Sequence, residues 1–191
     1  MALLFELPQP RSATRTPSAT AAMAVLIVAI GASVGAQPTV TEDQVKAAYL
    51  YNFTHFATWP VAAFEGPAGP LRVCTVGENG GLGQVLADTL RNESVDGHPL
   101  TLLRSPASSD LPRCHLLFIS AKTRADAILN QVSRAPVLTI SDGEGFMRRG
   151  GMLEFVSESG RVRFDVNLPA VSARGITLSA RLLQVARKVQ Q

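Results

Sequence analysis

A series of short apolar runs between residues 71 and 140 constrains the fold more than any other feature of this sequence. Each run is four to six residues long, which suits a buried strand and is too short for a helix. Segments with helical spacing separate the first run from the second and the third from the fourth. This alternation predicts an α/β fold, a single domain with a mixed, mostly parallel central sheet flanked by helices. The predicted strands cover residues 71–76, 98–103, 114–119 and 137–140, and the predicted helices residues 82–90 and 122–132.

An amphipathic helix is predicted before the first of these strands, over residues 42–57. Thr41 and Gln44 have the spacing of a capping box at its start. Pro60 ends it, because proline biases the preceding residue away from helical backbone angles. The segment 61–70 is rich in Pro, Gly and Ala and is predicted to be a loop.

The pattern changes after Asp142, where a glycine-rich loop leads into two further strands, residues 152–156 and 161–167. A four-residue turn, 157–160, separates them and predicts an antiparallel hairpin. Alternation in the second strand predicts one buried face (Val162, Phe164, Val166) and one wet face (Arg161, Arg163, Asp165). A closing helix is predicted over residues 178–189, with Arg187 and Lys188 near its C-terminus, where the helix dipole favours cations.

Residues 1–36 are predicted to be a signal peptide rather than part of the domain. Arg11 and Arg15 precede an apolar stretch, 21–31, and small residues up to Ala36 suit signal peptidase. Gln37 would then begin the mature chain, residues 37–191, in the periplasm. The apolar stretch is shorter than the ~20 residues of a spanning helix. An uncleaved N-terminal anchor is the alternative.

The mature chain is long enough for one domain with a single core. The net charge of +3 falls to +2 when Arg11, Arg15 and Glu6 are removed with the leader. The remaining arginines are scattered and the aromatics are few. A nucleic-acid-binding protein would instead concentrate positive charge on one face and interleave aromatic residues, so we expect no nucleic-acid partner.

Both cysteines, Cys74 and Cys114, lie in the predicted mature domain. Two cysteines in an exported protein more often pair than stay free. Two buried thiols that never meet are the alternative. Their spacing is not C-x-x-C, which argues against a thioredoxin-type redox centre.

Residues that could carry catalysis or bind a metal are few. None of the three histidines, His55, His98 and His115, has a second potential ligand at metal-binding spacing. His115 falls inside an apolar run, which favours a core or edge position. The predicted mature chain has no G-x-S-x-G elbow, and nothing places Asp142 opposite Glu144 as an acid–base pair. We therefore expect a binding or regulatory module without metal or cofactor; an enzyme with an unrecognised site is the minor alternative.

Two glycine clusters follow predicted strands, where α/β folds often bind ligands. The first, 77–83, precedes a helix and could hold an anion on its backbone amides. It lacks the residues of a P-loop and the spacing of a dinucleotide-binding loop. The second cluster comprises Gly143, Gly145, Gly150 and Gly151. Plain turns are the favoured interpretation of both.

Five stretches, taken together and in order, resemble the YfiR family of Gram-negative bacteria. They span nearly the whole predicted mature chain. The first is a helix ending in an aromatic-rich N-F-x-x-F-x-x-W-P pattern. The five stretches are residues 45–60, 71–77, 114–120, then 150–152 with the strand 162–168, and finally 176–183.

The resemblance implies a periplasmic repressor that acts by protein–protein contact. Such proteins bind the periplasmic sensor domain of an inner-membrane diguanylate cyclase and hold it inactive, and release raises cyclic di-GMP and favours biofilm formation. In some systems an outer-membrane lipoprotein sequesters the repressor. Cys74 and Cys114 match one family disulfide. A sheet in which the first predicted strand (71–76) lies between the second (98–103) and the third (114–119) would bring the two cysteines together. The second cysteine pair of some members is absent, which puts redox switching in doubt.

Two surfaces are candidates for partner binding. One is the polar face of the hairpin (Arg161, Arg163 and Asp165), and the other is the loop 146–149. A homodimer is also possible. The alternative function is a periplasmic small-molecule receptor serving a sensor kinase or another membrane signalling protein. The predicted partner-binding residues are Phe146, Arg148, Arg149, Arg161, Arg163 and Asp165.

Overall fold

An eight-stranded sheet with helices packed against it forms the centre of the computed structural model. The structure describes residues 40–77 and 80–191; the predicted signal peptide and its cleavage point lie outside these residues. The strands are β1 (Ala57–Thr58), β2 (Leu71–Val76), β3 (Ser94–Val95), β4 (His98–Arg104), β5 (Leu116–Ile119), β6 (Leu138–Ser141), β7 (Leu153–Glu158), β8 (Arg161–Asn167), β9 (Thr177–Leu178) and β10 (Lys188–Gln190). The helices are α1 (Glu42–Phe56), α2 (Leu82–Thr89), α3 (Ala125–Gln131), α4 (Leu168–Ser172) and α5 (Ala180–Val185).

The sheet order is β10-β8-β7-β6-β5-β2-β4-β3. Its centre, from β4 to β7, is parallel, and β7 and β8 form the antiparallel hairpin. The predicted α/β class, the mostly parallel sheet and the hairpin are therefore confirmed. Strands β4, β2 and β5 are neighbours in that order, as predicted. The chain passes from β2 through α2 and β3 to β4 on one side of β2, and then crosses to form β5 on the other side.

Helix α1 begins with the predicted capping box, in which Thr41 and Gln44 bond each other's backbone amides. Leu50 and Phe53, fully buried, face the sheet. The Phe53 ring lies 5.0 Å from Phe164 and 6.0 Å from Phe155, measured between centroids. These contacts hold α1 against the hairpin.

The hairpin turn is tighter than predicted. Strands β7 and β8 remain paired up to Glu158 and Arg161, which leaves a two-residue turn of Ser159 and Gly160. Both residues have positive φ, 50° and 72°, which matches the right-handed twist of the strands. The four-residue turn was therefore wrong, since Ser157 and Glu158 belong to the strand.

The end of the chain differs most from the prediction. The closing helix is only α5, six residues long, and Ala186 after it adopts an extended backbone. Val185, expected on the buried stripe, is 58% exposed. Lys188–Gln190 form β10, parallel to β8. Helical spacing alone could not reveal that these last residues gain more from pairing with the sheet edge.

None of the helices in the described part of the chain has the length and apolarity needed to cross a membrane. A separate two-stranded ladder joins β1 to β9. It links the end of α1 to the segment before α5, two of the stretches that carry the family resemblance.

Candidate functional site

Cys74 and Cys114 form a disulfide, with their Cα atoms 6.0 Å apart. Cys74 lies in β2, and Cys114 stands just before the adjacent strand β5. Both side chains belong to a small core on one side of the sheet, with Leu117, Ile119 and Phe146. The pairing is confirmed, and the alternative of two separate thiols is wrong.

The loop after β6 is fixed from inside rather than open to a ligand. The Glu154 carboxylate accepts the backbone N–H groups of Gly145 and Met147 at 2.8 and 2.9 Å. Gly151 packs so closely against the Phe146 ring that a Cβ atom there would overlap it. The second glycine cluster therefore forms a packed turn. The Gly145 and Met147 amides of this turn already bind the Glu154 carboxylate and are not available to an external anion.

Three of the predicted partner-binding residues lie in this loop. Phe146 is fully buried, so its prediction as an exposed contact requires correction: the small core around the disulfide takes up the ring. Arg148 and Arg149 are exposed. Arg149 donates to the Glu144 carbonyl oxygen at 3.0 Å and lies 3.6 Å from Asp126.

The other three lie on β8. Asp165 is 7% exposed and receives two hydrogen bonds from the Arg187 guanidinium, the Nε–Oδ1 bond being 2.8 Å. This bonding to Asp165 raises the pKa of Arg187. The prediction of a wet face is therefore wrong at Asp165, because β10 and Arg187 cover that end of the strand. Arg161 and Arg163 are exposed, and neither forms an ion pair with any residue the structure describes.

A groove separates the start of α1 from the hairpin beside these two arginines. It has a volume of about 360 Å³. Glu42, its acidic lining residue, pairs with Lys46 at 2.7 Å. The groove thus keeps a positive rim over an apolar floor. Its lining comprises Val40, Glu42, Val45, Tyr49, Ser157, Gly160, Arg161, Val162 and Arg163.

Lys46 ties α1 to the sheet below this groove. Its ammonium group lies 2.7 Å from Asp142 Oδ2, while Asp142 Oδ1 accepts the Ala121 N–H at 2.7 Å. Although burial opposes it, bonding to Asp142 and Glu42 raises the pKa of Lys46. Asp142 therefore joins α1 to the ends of β5 and β6, and Glu144 makes no hydrogen bond to it in the described structure.

A second cleft, about 210 Å³ in volume, lies beside the segment 61–70. Trp59, Phe64 and His98 contribute to its walls. Phe64 stacks on two imidazoles, with centroid distances of 3.9 Å to His98 and 4.5 Å to His115. His98 Nδ1 lies 2.7 Å from the Gly69 carbonyl oxygen. The cleft is thus largely apolar, with aromatic rings in its walls.

His115 lies behind this ring stack and is 1% exposed. Its Nδ1 accepts the Arg72 backbone N–H at 3.0 Å, so the neutral ring carries its proton on Nε2. Nε2 has no hydrogen-bond partner among the described residues. Burial, aided by the nearby Arg72 guanidinium, lowers the pKa of His115 to about 4. The predicted core histidine is confirmed, and His55 lies exposed on α1.

The first glycine cluster shows close packing at its start. Gly77 has φ of 72° and lies against the Thr123 side chain, leaving no space for a Cβ atom. This contact explains why residue 77 is a glycine.

Among the described residues there is no group of three or more His, Cys, Asp or Glu side chains that could hold a metal ion.

Comparison with known proteins places the chain in a family. The model of the YfiR/HmsC-like family matches residues 43–187, which include the disulfide, the hairpin and Arg187. The chain belongs to the YfiR/HmsC-like family. This family is regulatory and non-enzymatic, and membership supports a periplasmic regulatory role.

No curated protein matches this YfiR/HmsC-like chain. Among solved structures, a conserved domain protein from Vibrio cholerae O1 biovar El Tor is similar, with 12% sequence identity and a TM-score of 0.45. The match covers 63% of this chain and 55% of that protein. The chain thus matches just over half the length of that relative.

Sequence reasoning missed the roles of two residues near the groove and the hairpin. Arg187 was assigned to a helix end, whereas it neutralises Asp165. Arg161 and Arg163 remain on this face without an ion-pair partner among the described residues. Tyr49 was assigned to the core stripe of α1, although its hydroxyl reaches the groove, 3.5 Å from the Val162 carbonyl oxygen. Helical spacing correctly predicted the position of Tyr49 on α1. No sequence signal could predict that Asp165 pairs with Arg187, twenty-two positions later.

Proposed function

We propose that this YfiR/HmsC-like protein is a periplasmic repressor that binds the sensor domain of an inner-membrane diguanylate cyclase and holds the cyclase inactive. Membership of the YfiR/HmsC-like family carries the proposal. The groove between α1 and the hairpin, with two exposed arginines on its rim and an apolar floor, is a surface on which a partner could bind. Surfaces of this kind suit a protein partner, because arginine and aromatic residues dominate binding energy at interfaces.

The surface is rigid enough to act by contact alone. Tyr49 lies 5.3 Å from Phe164 and 5.9 Å from Phe155, between ring centroids, and Phe53 packs against the same two rings. Because these contacts hold α1 and the hairpin together, binding costs little conformational entropy. Repression then requires that the protein bind the inactive conformation of the sensor domain more tightly than the active one.

Two features support the periplasm as the compartment. Disulfides persist in oxidising compartments and are rare in the cytosol, and this chain carries one. The N-terminal sequence has the pattern of a cleaved leader. An outer-membrane lipoprotein that covered the same groove would release the cyclase.

The experiment is a binding titration against the periplasmic sensor domain of each diguanylate cyclase encoded beside the gene. We expect one of these domains to bind the mature protein with saturation, and the full-length cyclase that contains this domain to lose activity when the protein is added. If no such domain binds at concentrations up to the solubility limit, the proposal fails. Reducing the disulfide in a parallel sample shows whether binding needs the intact fold.

A second candidate function is a small-molecule receptor, because the cleft beside Trp59 is apolar and walled by aromatic rings. Trp59 is the only tryptophan in the chain, so its fluorescence reports directly on the cleft. Under this alternative, 4-nitrophenol quenches Trp59 with saturation and raises the melting temperature progressively as its concentration increases. Thr58→Phe, which fills the cleft, abolishes both effects. Quenching that stays linear and unsaturated would exclude this function for that class of compound.

A further inference from the structure

One stretch of β8 is an open sheet edge. Strand β10 pairs only with Asp165–Asn167, and the Arg187 N–H extends this contact to the Phe164 carbonyl oxygen at 2.8 Å. On this outer side of β8, no strand in the described structure pairs with residues 161–163; their only strand partner is β7, on the inner side. Unpaired strand edges are templates for pairing with another chain.

The direction of the backbone groups identifies the donor and the acceptor that face outward from the sheet edge. Phe164 bonds outward to Arg187, whereas Asn167 bonds inward to Met152 of the β7 side. Because these directions alternate along a strand, Val162 turns its N–H and C=O outward like Phe164. The Val162 carbonyl oxygen is 3.5 Å from the Tyr49 hydroxyl, the far limit of a hydrogen bond. Val162 is therefore the pairing point of the edge.

The side chains around Val162 define the chemistry of an added strand. Arg161 and Arg163 flank it on one face, exposed and without an ion-pair partner among the residues that the structure describes, while the floor of Val45, Tyr49 and Val162 lies on the other. Successive side chains of a strand point to opposite faces. An incoming strand would therefore place acidic side chains beside the arginines and apolar side chains in the groove.

The same charges disfavour a second copy of this chain. Two copies pairing antiparallel about Val162 would set Arg161 of one opposite Arg163 of the other. Like charges directly opposite each other destabilise a sheet. Asp165 cannot relieve this, because Arg187 already neutralises it.

We infer that the edge at Val162 is a strand-addition site for an extended segment of the partner protein in which acidic and apolar residues alternate. This rests on the proposed function for the partner's identity, but the site itself does not depend on it. The added strand bonds the outward N–H and C=O of Val162, its carboxylates pair with Arg161 and Arg163, and its apolar side chains contact Tyr49 and Val45.

The test uses a short synthetic peptide of alternating glutamate and valine, titrated into the mature protein at low and high salt. We expect saturable binding that weakens with salt and slower hydrogen exchange of the Val162 amide in the complex. The variant R161E/R163E should bind about tenfold or more weakly. A lysine–valine peptide should prefer that variant over the unchanged protein. R134E/R181E, which changes the same total charge at exposed positions away from the groove, is the matched control.

Each outcome decides the inference separately from the proposed function. If the cyclase sensor domain binds R161E/R163E as tightly as the unchanged protein, the site is wrong while the repressor proposal stands. If the peptide binds as expected but no sensor domain does, the site stands and the proposed partner fails. Peptide binding without protection of the Val162 amide, or equal loss in the control variant, overturns strand addition. So does self-association that R161E/R163E abolishes.

Discussion

At the scale of single residues, His115 makes the stability of the protein depend on pH. Its folded-state pKa of about 4 lies below the ordinary value of 6.5. Above pH 6.5 the ring is neutral in both the folded and the unfolded chain. As the pH falls from 6.5 towards 4, the unfolded chain gains a proton that the folded protein does not accept, so stability is lost in that window. We expect a loss of about 1 to 2 kcal/mol from this residue, allowing for solvent screening, measured by urea unfolding.

His115→Asn is the matched variant, because an amide oxygen can still accept the Arg72 N–H. Its free energy of unfolding should fall less across the same pH window. Glu65 contributes only at the acid end of this window. Bonding to Arg72 and Arg113 lowers the pKa of Glu65 from 4.5 to about 2, so the stability it contributes is lost below pH 4.5. Equal pH dependence in both proteins would show that His115 is not the responsible group.

Gly151 is required by packing rather than by turn geometry. Its added Cβ would overlap the buried ring of Phe146, and forcing extra atoms into a packed core costs about 1 to 3 kcal/mol. We expect Gly151→Ala to lower the free energy of unfolding by that amount. Phe146→Leu removes the ring, so adding Gly151→Ala to it should cost clearly less. Additive losses in the double variant would argue against the predicted overlap.

At the scale of secondary-structure elements, the disulfide joins β2 to the start of β5. The cysteines are 40 residues apart in sequence, and the chain-entropy model gives about 4 kcal/mol for closing such a loop. We expect the double variant Cys74→Ala/Cys114→Ala to lose stability on this scale, measured by urea unfolding under oxidising conditions. Addition of a reductant should then lower the stability of the unchanged protein but not of the variant. A reductant effect of the same size in both would show that the bond does not stabilise the fold.

The elements that the sequence predicts well are those whose signal is local. The buried strands β2, β5 and β6 are short runs rich in apolar residues, and α1 carries its own capping box. The short strands β1, β3, β9 and β10 were missed, because each is only two or three residues long. Three of them, β1, β9 and β10, also exist only through a partner that is distant in sequence. The same reason explains the closing segment, where α5 stops at Val185 and the chain joins β8.

At the scale of the whole molecule, the residues assigned to the partner surface were predicted only in part. The alternation of residues along β8 correctly predicted that Arg161 and Arg163 are exposed. It failed at Asp165 because β10, itself unpredicted, covers that end of the strand. It could not anticipate that Phe146 would fill the core beside the disulfide, since a single aromatic residue in a glycine-rich loop has no periodic signal. The groove required tertiary structure, because α1 and the hairpin meet across more than a hundred residues.

The central claim is that this protein represses a membrane cyclase from the periplasmic side. The most direct measurement is cyclic di-GMP inside spheroplasts that carry the full-length cyclase, after the purified mature protein is added outside. The account predicts a saturable fall in cyclic di-GMP, a much weaker fall with R161E/R163E, and an undiminished fall with R134E/R181E. Unchanged cyclic di-GMP at saturating protein, with every adjacent cyclase tested, would contradict it.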